Sequence, residues 1–177
     1  MSQSALIVRV PAAEAHVAHW RERFDPAARL GVPAHITLLF PFMSPELITA
    51  DVLERISSFA ASMQSFAFHL RAIGHFPGVL YLTPEPTAPF VTLTKGLVDL
   101  FPEFPPYEGQ HDDVIPHLTV AHTDEVELLQ VEAAVANSIR TAPIEAACEK
   151  IDLIENSTGM WKPMHAFALG AAAHVND

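Results

Sequence analysis

One short phrase occurs twice in this chain of 177 residues. Pro33-Ala34-His35-Ile36-Thr37-Leu38 stands in the first half, and Ile115-Pro116-His117-Leu118-Thr119-Val120 in the second. Each sits in an apolar, β-like run, and each His is closely preceded by a Pro. In a strand, residues two apart project from the same face. His35 therefore projects with Thr37 and His117 with Thr119, while Ile36, Leu38 and Phe40, and likewise Leu118 and Val120, turn toward a core. A single His-x-Thr strand reads as structural, but a structural role does not require the phrase twice. If two similar halves face each other, two imidazoles and two hydroxyls line one cleft. That set is what phosphodiester cleavage without a metal requires. One neutral His takes a proton from the attacking water or hydroxyl, and the other, as imidazolium, protonates the departing oxygen. Histidine titrates near neutral pH, and each positioned proton transfer contributes roughly 10²–10⁴-fold. The Thr hydroxyls donate to the non-bridging oxygens, where charge must be stabilised. The residues leave open which His is base and which is acid.

The elements that must position these four side chains can be read from pattern and punctuation. Ser4–Val10 reads as a strand closed by Pro11. The stripe Ala13, Val17, Trp20, Phe24 predicts a helix ended by Asp25-Pro26, with His16 and His19 off the stripe and solvated. Pro33–Phe42 reads as a strand. Ser44-Pro45-Glu46 predicts a helix start, carried on by Ile48, Val52, Ile56, Phe59 and Met63. Ser65–Ile73 and Gly78–Leu82 predict two strands joined by the turn Gly74-His75-Phe76-Pro77. Thr87 and Pro89 begin a third helix, buried through Phe90, Leu93, Leu97 and Leu100. A Pro-rich loop, Phe101–Tyr107, and the polar His111-Asp112-Asp113 lead into a strand at Ile115–His122. Asp124 caps a helix to about Arg140, and strands near Glu145–Ile154 and Trp161–Leu169 end the chain. This order implies an α+β or mixed α/β fold with helices over sheets. No linker or low-complexity run divides it, so residues 1–177 are expected to form a single domain.

Composition narrows the partners. A net charge of −11 with only ten Lys and Arg argues against a broad grip on long duplex nucleic acid. A local basic pocket can still hold one phosphate or an RNA end, which favours a small nucleotide or short RNA-end phosphodiester. Apolar runs fall short of the roughly 18–20 residues of a membrane span, and the N-terminus lacks the features of a signal peptide. The lone Cys148 excludes an internal disulfide. A cytoplasmic monomer without cofactor is expected. His111, Asp112, Asp113, His117 and His122 raise the alternative of a metal-dependent hydrolase, but their spacing matches no trusted ligand pattern. A module that binds a nucleotide or RNA end without turnover is a further alternative.

At the repeated phrases the chain resembles the two-histidine (2H) phosphoesterase superfamily, in its 2′-5′ RNA ligase-like and cyclic phosphodiesterase-like branch. That family carries two H-x-[ST]-hydrophobic motifs, matched by His35-Ile36-Thr37-Leu38 and His117-Leu118-Thr119-Val120. Flanking text is similar too: PAHITLLFPF, the Phe76–Leu82 stretch, Pro105–Tyr107, and Trp161 before Phe167-Ala168-Leu169-Gly170. The resemblance implies a two-lobed α+β fold with pseudo-twofold symmetry, antiparallel-rich sheets and a central cleft holding both motifs. It also implies metal-independent hydrolysis of 2′,3′-cyclic or 2′-5′-linked ribonucleotide phosphodiesters, in some members with reverse RNA ligation. The acidic balance favours a nucleotide or short oligonucleotide over ligation and tRNA-scale substrates. Catalytic residues expected on this basis are His35, Thr37, His117 and Thr119, with no metal. Tyr81 and Phe42 are candidates to touch substrate, Tyr81 because an aromatic there can border the base-binding end, though Phe42 and Phe76 suit a core. Lys162 could reach a phosphate or be solvated, and Arg71 faces either solvent or the cleft.

Overall fold

A computed structural model describes residues 2–105 and 114–171. Tyr107 and the polar His111-Asp112-Asp113 segment lie outside the described residues. The chain runs β1 (Ser4–Arg9), α1 (Glu14–Phe24), α2 (Pro26–Arg29), β2 (His35–Leu39), α3 (Ala50–Ser62), β3 (Phe66–Phe76), β4 (Val79–Glu85) and α4 (Ala88–Leu100). It continues through β5 (Leu118–His122), α5 (Glu125–Thr141), β6 (Ile144–Cys148), β7 (Lys150–Glu155) and β8 (Lys162–Ala168). Two four-stranded antiparallel sheets result, ordered β2-β1-β7-β8 and β5-β4-β3-β6, with helices against them. This is an α+β fold.

The two sheets are built alike. β1-α1-β2-α3 and β4-α4-β5-α5 follow one pattern, and each motif strand lies at a sheet edge beside the strand that precedes it. The helices are exchanged: α1 packs against β5, and α4 against β2. The buried sides of both sheets consequently share one apolar cluster, in which Leu6, Ile36, Leu80 and Leu118 are all fully covered. The two edge strands β2 and β5 are themselves neighbours.

Several boundaries differ from the sequence pattern for identifiable reasons. Ser44 opens only a single 3-10 turn, Pro45–Leu47. The helix itself starts after Thr49, whose hydroxyl accepts from the Val52 amide at 3.4 Å. The expected turn Gly74–Pro77 is mostly strand: β3 runs on to Phe76, and Pro77-Gly78 alone makes the hairpin, Gly78 supplying a φ of +74°. The expected strand near Glu145–Ile154 is two strands, broken at Glu149 and divided between the sheets. Burial marks the break, because β6 exposes Glu145 and Ala147, whereas β7 is buried continuously from Ile151 to Glu155. Phe40 follows the end of β2, so strand alternation no longer governs it. It joins a second cluster, with Ala5, Ile7, Val32 and Ile154, on the other side of the first sheet. Asp25 does end α1, and it also starts α2, its carboxylate accepting from the Ala27 amide at 2.9 Å. His16 is not merely solvated, since its Nδ1 meets Ser138 Oγ at 2.7 Å and ties α1 to α5.

Candidate functional site

The site begins with a repeated backbone device. From His35 to Leu39 the side chains are half-buried, buried, half-buried, buried, buried, and from His117 to Ala121 the sequence is the same. Both strands carry an irregular register just after the Thr. Thr37 pairs with Ile7 but Leu39 with Leu6; Thr119 pairs with Tyr81 but Ala121 with Leu80. One extra residue in each motif strand, Leu38 and Val120, is thereby accommodated, as in a β-bulge. The strand bends there, and both apolar residues after the Thr turn inward, leaving His and Thr as the polar pair on the open face.

Both imidazoles are held by one contact. His35 Nδ1–H donates to the Pro33 carbonyl at 2.8 Å, and His117 Nδ1–H donates to the Ile115 carbonyl at 2.7 Å. A carbonyl only accepts, so this bond fixes the proton on Nδ1 of each neutral ring. Nε2 of each ring is then left with its lone pair. The approach to His35 is braced as well, for the Ala34 amide donates to Glu14 Oε1 at 2.7 Å and Val10 donates to the Ala34 carbonyl at 2.8 Å.

The two rings differ electrostatically. Burial is the main cause that lowers His35 to about 4, opposed by the Pro33 carbonyl; the Arg21 cation lowers it further, Asp25 raises it, and His117 lowers it. His117 is lowered by burial and partly restored by the Ile115 carbonyl. His35 thus holds a firmly neutral ring. Arg21 on α1 and Asp25 just past its end, both buried, form an ion pair at 2.8 Å. Their i,i+4 spacing was visible in the sequence, but no rule of composition placed that pair beside His35.

Aromatic rings wall His117. Phe76 meets it edge-on with centroids 5.1 Å apart, Tyr81 lies at 5.2 Å, and Phe76 and Tyr81 pack at 4.4 Å. Tyr81 pairs across the sheet with Thr119 on one side and with Gly74 on the other. A side chain on residue 74 would collide with the Tyr81 ring, so glycine is required there. Gly74→Ala is accordingly expected to push Tyr81 onto His117, at an overpacking cost of about 1–3 kcal/mol. Thermal unfolding should show the loss, and the NMR shift of the His117 ring should move while that of His35 does not.

The remaining candidates separate. Phe42 is a core residue, 4% exposed, packed edge-on against Phe101 and Phe104 at 5.2 and 5.4 Å. Its aromatic type suited either location, and the inward turn of the chain after β2 decided it. Lys162 Nζ lies 3.0 Å from Glu155 Oε1, and Arg71 is exposed and 3.8 Å from Glu145. Burial raises the Cys148 thiol to about 12, which leaves it protonated and a poor nucleophile. Arg9 was not anticipated. It lies directly across from His35 on β1 and meets the buried Asp152 at 3.4 Å.

Comparison with known proteins bears on this arrangement. Residues 10–159 match the family model described as the 2′-5′ RNA ligase superfamily. A Bacillus pumilus (strain SAFR-032) protein, provisionally named a phosphoesterase, is 25% identical over 163 residues, covering 85% of this chain and 87% of that one. A Bacillus cytotoxicus protein with the same provisional name is 31% identical over 104 residues, 57% of this chain and 58% of its own. Among solved structures, Escherichia coli LigT complexed with 3′-AMP superimposes with a TM-score of 0.64 at 17% identity, covering 95% of this chain and 98% of LigT. TT0787 of Thermus thermophilus gives 0.61 at 22% identity, covering 97% and 100%. These structures share the fold.

Proposed function

The chain belongs to the 2′-5′ RNA ligase superfamily, and from that premise we propose that it is a metal-independent phosphodiesterase opening 2′,3′-cyclic or 2′-5′-linked ribonucleotide phosphodiesters. The observation that carries the reading is the shared restraint on the two imidazoles. Each gives its Nδ1 proton to the carbonyl two residues earlier, so each offers Nε2 for proton transfer. The reading treats residues 1–177 as one two-lobed domain, because each motif strand belongs to a different sheet.

In the proposed reaction His35 is the base. Its neutral Nε2 takes a proton from water as the water oxygen attacks phosphorus. His117, less depressed, is the imidazolium that protonates the sugar oxygen as its bond to phosphorus breaks on the opposite side. Thr37 and Thr119 donate to the non-bridging oxygens. The product is a phosphomonoester, and one proton has passed from His117 to the leaving oxygen while His35 gains one from water. Tyr81 and Phe76 serve as positioning residues for His117, a role their contacts favour over direct contact with substrate. The relatives' phosphoesterase names and the 3′-AMP bound to LigT support a nucleotide-sized phosphate ester as substrate.

The test is to incubate the protein with the four nucleoside 2′,3′-cyclic phosphates and a 2′-5′-linked dinucleotide in excess EDTA, following ring-opened or cleaved product by chromatography. Turnover undiminished by the chelator is expected. Binding by calorimetry with no product in long incubations would make the cleft a binding module. Turnover abolished by EDTA and restored by a divalent ion would assign a metal-dependent hydrolase.

A further inference from the structure

We propose that Glu14 is a positioning residue for His35, acting through the peptide unit that joins Pro33 to Ala34. This deepens the assignment just made and rests on it for the role of His35 as base. One planar unit carries both contacts. Its carbonyl, on Pro33, accepts from His35 Nδ1 at 2.8 Å, and its amide, on Ala34, donates to Glu14 Oε1 at 2.7 Å. The oxygen and the N–H of a trans peptide point in opposite directions, so the plane is gripped from both sides. Turning it toward another partner would break the bond to the imidazole.

The backbone explains why a side chain is needed there. Arg9 and His35 are partners across β1 and β2, so Val10 and Ala34 come next. Residues in a hydrogen-bonded antiparallel pair exchange two bonds. The first runs from the Val10 amide to the Ala34 carbonyl at 2.8 Å. The Val10 carbonyl, which would take the second, accepts instead from Ala13 at 3.0 Å, in the 3-10 turn Pro11–Ala13. Ala34 is fully buried, so its amide must find another acceptor. Glu14 is the first residue of α1, and its own amide donates to the Pro11 carbonyl. Its half-buried side chain thus starts from the end of that same turn and takes the place of the Val10 carbonyl.

The second motif shows the contrast. His117 Nδ1 donates to the Ile115 carbonyl, but the next residue is Pro116, which has no N–H. That peptide has no donor to satisfy and needs no acidic partner. The two imidazoles therefore share their first contact and differ in the second: His35 is tied through its peptide to a carboxylate. Hydrogen bonds in a chain polarise one another. A carboxylate on the Ala34 amide makes the Pro33 carbonyl a stronger acceptor, which holds the proton on Nδ1 and leaves Nε2 open to act as base.

An acid in the first turn of a helix also stabilises that helix, so the test must separate reach from charge. Glu14→Gln keeps an acceptor at the same reach and loses the charge; Glu14→Asp keeps the charge and is one methylene shorter. In Glu14→Asp and Glu14→Ala, kcat on the cyclic nucleotide that the protein opens should fall by about 10-fold to 100-fold, with KM little changed. Nitrogen-15 NMR at neutral pH should show the His35 ring moving from its Nδ1–H form toward the Nε2–H form in both, while His117 stays as it was. Glu14→Gln should stay close to wild type in kcat and in tautomer. Glu14→Asp decides the matter if Glu14→Ala does not fold. Wild-type kcat and tautomer in Glu14→Asp, or a loss in Glu14→Gln as large as in Glu14→Asp, would overturn the proposal. A His35 tautomer that responds as expected in a protein that opens no diester would sink the catalytic assignment and leave Glu14 as the group that orients His35.

Discussion

His35→Ala and His117→Ala each reduce kcat on the cyclic nucleotide that the protein opens by about 10²–10⁴-fold, and the double variant is little slower than the worse single one. The magnitude is that of one positioned proton transfer. The lack of additivity follows because both transfers belong to one displacement at phosphorus. With either ring absent the concerted path is closed, and removing the second ring takes away little more. KM should change much less than kcat, since neither ring supplies the bulk of ground-state binding in this account. Neither substitution removes an apolar wall of the core: both rings are half-buried, while Ile36 and Leu118 beside them are fully buried. Circular dichroism should show folded variants, so the loss can be read as chemistry. A variant that folds and keeps wild-type kcat would remove its residue from the mechanism.

The pH dependence of kcat/KM should be a bell displaced to the acid side. The base must be neutral, and with His35 lowered to about 4 the acid limb should fall away only near that pH. The acid must be protonated, and because burial lowers His117 from 6.5, the alkaline limb should lie below that value. A bound phosphate anion favours the imidazolium, so the alkaline limb of kcat should sit at higher pH than that of kcat/KM. Stability is linked to the same group. Unfolded, His35 titrates near 6.5; folded, it titrates near 4, so the unfolded chain binds the extra proton between those values. The contribution of His35 to stability is therefore complete above about pH 6.5 and is lost as pH falls toward 4, by on the order of 3 kcal/mol. Denaturant titrations of wild type and His35→Gln across that window should converge as pH falls. An alkaline limb of kcat/KM well above 7 would contradict the assignment of His117 as the acid.

The doubled phrase was legible because strand alternation is a strong constraint: a half-buried His and Thr two apart, with buried neighbours, admit few other arrangements. The resemblance carried the α+β fold, and the helix start at Thr87 and the cap at Asp124 stood where residue type placed them. What could not be read were features decided by distant packing. Nothing local distinguishes Glu149 as the point where a strand leaves one sheet for the other; that follows from which edges are unfilled. Gly74 carries the turn composition of the Gly74–Pro77 stretch, yet it pairs with Tyr81 in the β3–β4 ladder, where the Tyr81 ring occupies the space of a side chain. Arg9 and Trp161 are far apart in sequence and line one pocket because β1 and β7 pair and the segment before β8 returns past Leu30.

The division of labour between the two imidazoles is tested most directly with a sulfur analogue. In a nucleoside 2′,3′-cyclic phosphorothiolate with sulfur in place of the departing oxygen, the thiolate leaves without a proton. His117→Ala should then turn over within about tenfold of wild type, although it is slower by about 10²–10⁴-fold on the oxygen substrate, while His35→Ala stays impaired on both. Equal impairment of His117→Ala on the two substrates would contradict its role as general acid.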